Sequence, residues 1–193
     1  TVPATVTVPA NATSVSFDYI APGATTSGTV TATALALSDS ATVDVVMTPP
    51  TVVINEIDYD QPGTDGPEYI ELYNPGASAY DLTGHQLMFF NGSSSPASSY
   101  MMVDLAAIGS SLAAGQYLVV HASGVTVAGG ALTGILPGAI QNGGPDGVAI
   151  WNGSAIVDSL SYEGTISAAT IGGMSLPLES TTAEDSGATA GSL

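Results

Sequence analysis

The 193-residue chain contains no lysine, no arginine and no cysteine, against 17 aspartates and glutamates, so its formal net charge is -17. A domain of ordinary composition and this length carries roughly 20 or more basic side chains. Their absence excludes whole classes of chemistry. Nucleic acid is gripped by basic side chains that displace counterions from phosphates, so no nucleic-acid partner is expected. A Walker-type phosphate loop, an arginine finger, a lysine Schiff base, a polybasic lipid anchor and a lysine isopeptide crosslink all need the missing residues. Without cysteine there is no disulfide scaffold, thiolate zinc site or thiol nucleophile. No run of 18 apolar residues occurs, so no membrane insertion is expected.

Charged residues make up only 9% of the chain and hydrophobic ones 45%, with polarity supplied by Ser, Thr, Asn and 23 Gly. Together with 12 Pro, these punctuate short stretches in which apolar and polar residues alternate, the pattern of an all-β protein with many turns. Residues 1 to 48 predict three or four strands: Thr5–Val8, Val15–Tyr19, Thr29–Thr33 and Thr42–Val46, with turns at Pro22-Gly23 and Ser38-Asp39. Pro49-Pro50 stops that sheet, because proline donates no ladder hydrogen bond and restricts its predecessor. Seven further strands are expected at 52–58, 68–74, 86–90, 100–105, 117–121, 147–151 and 156–162, at the spacing of a β-sandwich. A short turn of helix is expected within Ala106 to Ala114. The domains predicted are a partial β module at 1–50, a sandwich at 51–180 and a flexible Ser/Thr/Gly-rich tail at 181–193.

Two resemblances sharpen this reading. Val2-Pro3-Ala4-Thr5-Val6-Thr7-Val8-Pro9-Ala10, Thr13-Ser14-Val15-Ser16-Phe17 and the Thr29 to Ala34 strand resemble the C-terminal half of the immunoglobulin-like repeats of bacterial surface proteins. Such a sandwich needs about seven strands, so its other half must come from elsewhere. From Val53-Ile54-Asn55-Glu56-Ile57 onward the chain is similar to the bacterial lamin-tail domain. The motifs, in order, are the Asp60 to Asp65 loop with Glu68-Tyr69-Ile70-Glu71-Leu72-Tyr73-Asn74, Asp81-Leu82-Thr83-Gly84, Gln141 to Ala149, and Asp158 to Gly164. This resemblance implies an immunoglobulin-like β-sandwich. Gly172-Gly173-Met174-Ser175-Leu176 resembles the closing segment of that family without the arginine that follows it there. Both ends are therefore expected to be cut, by a protease specific for basic residues, unless the gene product lacks such residues by selection.

Six of the 17 carboxylates, Glu56, Asp58, Asp60, Asp65, Glu68 and Glu71, fall within 16 residues. With no basic side chain available they must spread into water, protonate or bind a cation. Asp58, Asp60, Asp65 and Glu68 are the candidate metal ligands, with hard oxygens on a turn of the type Ca²⁺ prefers. The other reading is a solvated acidic loop. Asp146, in Asn142-Gly143-Gly144-Pro145-Asp146-Gly147, is either a further ligand or part of a tight turn. Glu163 fits a strand end better than a catalytic acid. His85 and His121 lie 36 residues apart, with no Gly-x-Ser-x-Gly elbow and no His-Glu-x-x-His pair to recruit them, so they are read as structural. Tyr69, Tyr73, Tyr117 and Trp151 alternate with apolar neighbours and are read as core or half-core, against the alternative of a sugar-stacking platform.

The function expected is that of a non-catalytic structural, adhesive or assembly module of a larger secreted bacterial protein, extracellular or at the cell surface. Its expected partner is a neighbouring chain, a homo-oligomer or a fibre, joined by strand addition at an exposed sheet edge. The alternative is an accessory lamin-tail domain of an extracellular nuclease or phosphatase whose catalytic part lies outside this chain. A third reading makes the acidic cluster, with Ca²⁺, a hydrolytic site.

Overall fold

The computed structural model describes residues 5–7, 10, 13–14, 26–34, 37–45, 52–63, 66–181 and 191–193. The chain divides into two compact units, Thr1–Pro49 and Pro50–Leu193. In the first, β1 (Thr26–Ala34) and β2 (Leu37–Val45) pair antiparallel in full register from Thr26 opposite Val45 to Ala34 opposite Leu37. Ser38 and Asp39, expected to form a turn, instead lie inside β2, where they pair with Thr33 and Ala32 of β1. Thr5–Thr7 form no strand, and the strand expected at Val15–Tyr19 lies outside the described residues.

The second unit begins with β3 (Val53–Asp58), β4 (Tyr69–Tyr73), β5 (Tyr80–Asp81), β6 (Gln86–Asn91) and β7 (Ser98–Asp104). It continues with β8 (Ser111–Leu112), β9 (Tyr117–His121), β10 (Leu132–Ile135), β11 (Asp146–Trp151) and β12 (Ile156–Tyr162). The short β13 (Ala169–Ile171) and β14 (Met174–Leu176) close it. The helical turn is a 3₁₀ turn at Leu105–Ala107, slightly earlier than expected because Asp104 caps it by accepting from the Ala106 N–H at 3.0 Å.

Two four-stranded sheets, in the orders β10-β9-β4-β3 and β12-β11-β6-β7, face each other. Period-two alternation sends Ile57, Ile70, Leu72, Leu118 and Val120 from one sheet, and Leu87, Phe89, Val148 and Ile150 from the other, into a common core. Tyr59 and Tyr162 stack inside it with centroids 4.2 Å apart. Burial of this apolar surface is the main stabilising term. The fold is therefore all-β, an immunoglobulin-like sandwich. Strand β10 was not anticipated: it runs parallel to β9, and its sequence, Leu-Thr-Gly-Ile, is too short to show a period.

Strands β6 and β11 are buried on both faces, which explains why they read as continuous apolar runs. Their second face, with Met88, Phe90, Ala149 and Trp151, is covered by Ile166, Ala169, Ile171 and Leu178. The β13–β14 hairpin turns on Gly172 and Gly173, at φ 57° and 79°. This left-handed pair matches the twist of a tight hairpin. Gly172 also lies against Trp151, and a Cβ there would stand 2.6 Å from the indole ring.

Replacing Gly172 by alanine therefore combines left-handed strain with overpacking and should cost roughly 2–4 kcal/mol, whereas Gly173→Ala should cost only about 1–2 kcal/mol. Urea unfolding of the two variants measures the difference. Equal costs would show that Trp151 does not rest on this turn.

Candidate functional site

The acidic cluster is distributed by strand alternation. Glu56 and Glu71 face each other across β3 and β4 and leave the sheet on its outer side, while Ile57 and Ile70 enter the core. A bulge between Ile54 and Glu56 sets Asn55 beside Glu71, and its Nδ2 donates to Glu71 Oε1 at 2.8 Å. Glu56 Oε1 accepts from the Tyr69 hydroxyl at 2.6 Å and from Ser192 Oγ at 2.5 Å. Burial, with this bond to a carboxylate second, pushes the Tyr69 phenol up to about 12.

Of the candidate metal ligands, Asp58 is buried and accepts from Gln61 Nε2, and Asp60 is half-buried. Glu68 is buried, with Oε2 accepting from the Ile140 N–H at 2.9 Å. Asp65 lies outside the described residues. Among the described residues no three histidine or acidic side chains come together to hold a metal. Glu68 thus joins the start of β4 to the segment before β11, a role that its position in an acidic run does not reveal.

Both histidines bond to nearby groups. His85 Nδ1 donates to the Thr83 carbonyl at 3.1 Å, which leaves Nε2 to accept from the Tyr80 hydroxyl at 2.6 Å. His121 Nδ1 donates to the Ala122 carbonyl at 2.9 Å. Glu163 adopts a left-handed conformation, φ 52°, and its Oε2 accepts from the Gly144 N–H at 2.8 Å. Trp151 is core, as its alternation implies, but Tyr73 and Tyr117 are not. They are cross-strand partners on the outer face, and Tyr117 is exposed.

Asp146 begins β11 between Asn91 and Tyr162, with no exposed surface. Neither of its carboxyl oxygens has a hydrogen bond of good geometry. Burial raises its pKa, an effect only partly opposed by the nearby N–H groups of Gly143 and Gly92, and Glu163 adds to the rise. Tyr100 in the same region is pushed up to about 12, again by burial first.

The edge of β3 is occupied at two points. Asp158 Oδ2, from the opposite sheet, accepts from the Ile54 N–H at 2.7 Å. Further along, Ile57 and Leu193 exchange reciprocal backbone hydrogen bonds, each 2.8 Å. Residues 191–193, expected within a flexible tail, thus lie against β3, and Leu193 packs on the core.

Two facing four-stranded sheets with an apolar core between them define an immunoglobulin-like β-sandwich domain. More particularly, the lamin tail domain family model matches residues 45–164, more than half of the chain, and the chain belongs to that family. No curated protein matches it. The family match ends before Ile166 to Leu178, the residues that cover Trp151.

Asp146 allows a test by pH. In the unfolded chain its carboxyl ionises near the ordinary value, 3.8, and in the fold it ionises higher. Its contribution is therefore most favourable below the ordinary value and is lost as pH rises towards the folded value. Asp146→Asn should be more stable than the parent at pH 7, with the gap closing near pH 3. Urea midpoints at both pH values check this, and a variant less stable at pH 7 would show that the carboxylate is held by donors.

Proposed function

We propose that this chain is a non-catalytic structural module of a larger exported protein, working outside the cell or at its surface, and that it joins its neighbours by strand addition. The observation that carries the proposal is the reciprocal pair between Ile57 and Leu193: the β3 edge takes an extended segment through main-chain bonds and seats an apolar side chain beside the core. Main-chain recognition at a sheet edge supplies affinity without charge, which suits a chain that has no cation to offer a partner. A neighbour's strand would take the place on β3 that residues 191–193 of this chain hold here.

The first unit supports the same reading. The described part of that unit is a ribbon of two nine-residue strands. A two-stranded ribbon is marginal alone in water and gains stability from further strands.

Deleting residues 191–193 should speed hydrogen exchange of the Ile57 amide by at least about tenfold while leaving Ile70 protected. A synthetic peptide of residues 184–193, added in trans to the deleted chain, should restore Ile57 protection. Unchanged exchange after deletion, or no restoration by the peptide at millimolar concentration, would overturn strand addition at this edge.

A further inference from the structure

The outer face of the β10-β9-β4-β3 sheet carries a cavity of about 400 Å³, with Glu71, Tyr117 and Val119 on the sheet side and residues 127–131 as the opposing wall. Sites for small organic ligands are commonly about 300–1,000 Å³. Register places Glu71 opposite Val119 and Tyr73 opposite Tyr117, so these four side chains leave the sheet on one side. The Tyr73 and Tyr117 rings stack with centroids 4.6 Å apart and planes 29° apart. Tyr73 therefore supports one face of Tyr117, which is 40% exposed and is one of the residues lining the cavity.

The wall is also held. Gln116 Nε2 donates to the Gly130 carbonyl at 3.1 Å, and Gln116 Oε1 accepts from the Ala113 N–H at 2.9 Å. Glu71 spends Oε1 on Asn55. Its second oxygen and the Tyr117 hydroxyl bond to no other described residue. A supported ring and a tethered wall reduce the ordering cost of binding.

We infer that this cavity binds an uncharged carbohydrate, with a pyranose ring lying on Tyr117 and a sugar hydroxyl donating to Glu71. The weakly positive C–H hydrogens of a pyranose face complement the negative face of the tyrosine ring. A hydroxyl donating to a carboxylate makes a charge-assisted bond, stronger than one between neutral groups. Charge selects among sugars: a site with a carboxylate, in a chain of net charge -17 with no Lys or Arg, repels sialylated, sulfated and phosphorylated glycans. Ring geometry selects against an organic cation, which is best held when several aromatic faces surround it. Two rings stacked on each other form a platform for a flat ligand. This inference uses the face of the sheet and does not depend on strand addition at its edge.

The test is a printed array of neutral and acidic glycans probed with the full chain. The strongest neutral glycan is then titrated while the backbone amides are followed by nuclear magnetic resonance. Neutral glycans should bind in preference to acidic ones, with shifts centred on Gln116, Tyr117 and Gly130. Tyr117→Ala should weaken binding about tenfold, while Tyr117→Phe keeps it. Glu71→Gln, which preserves shape and removes charge, should weaken it about threefold. No neutral glycan bound, equal binding of acidic glycans, indifference to Tyr117→Ala, or shifts at these amides with tetramethylammonium in place of sugar would each overturn the inference.

Discussion

Every carboxylate in this protein must be accommodated without a lysine or arginine, and the described structure answers with N–H and O–H donors. Glu68 takes the Ile140 amide, Asp158 takes those of Ile54 and Ser159, and Glu163 takes that of Gly144. Glu56 takes two hydroxyls and Glu71 an asparagine amide. Such bonds to charged acceptors are worth more than neutral ones, and they avoid the cost of desolvating a second ion. They also act as connectors: Asp158 ties one sheet to the edge of the other, and Glu68 ties a strand start to a distant segment. Asp146 differs in having no well-formed hydrogen bonds of its own, and burial raises its pKa as it raises that of Asp158.

This economy bears on function. A protein with only negative side chains cannot recruit anions, and long-range repulsion opposes its own close association. Recognition of uncharged partners then falls to main-chain edges and aromatic faces. The proposed β3 edge and the proposed Tyr117 platform are of these two kinds, and β3 and β9 belong to the same sheet. On the opposite sheet Ile166, Ala169, Ile171 and Leu178 cover Met88, Phe90, Ala149 and Trp151 and make a second core.

Much of the sandwich was legible because alternation is a physical signal. β9 and β12 appear over the residues that their sequence implies, and β3, β4, β6, β7 and β11 differ by one or two residues at an end, whereas β1 and β2 start earlier than expected and the short β5, β8, β13 and β14 were not anticipated. Where the pattern misled, a specific competitor explains it. Ser38 and Asp39 resemble turn residues, yet cross-strand pairing with Thr33 and Ala32 keeps them in β2. β10 pairs in parallel through a connection that no local period encodes. Tyr73 and Tyr117 alternate with core residues, and alternation alone does not say which phase faces inward when an aromatic and an aliphatic residue compete; Leu72 and Leu118 took the core. Glu68 and Asp158 look like members of an acidic surface, and only the fold reveals the amides they meet, 72 and 104 residues away. The docking of Leu193 on β3 is likewise a long-range contact, absent from any local reading of a Ser/Thr/Gly-rich segment.

No ion pair of Lys or Arg holds this fold, and repulsion among its carboxylates opposes it. The most direct measurement is the urea midpoint at pH 7 as sodium chloride is raised to about 0.5 M, where screening acts within a few ångströms. The account predicts a steady rise, because salt relieves repulsion and has no ion pair of Lys or Arg to weaken. A midpoint that falls with salt would contradict it.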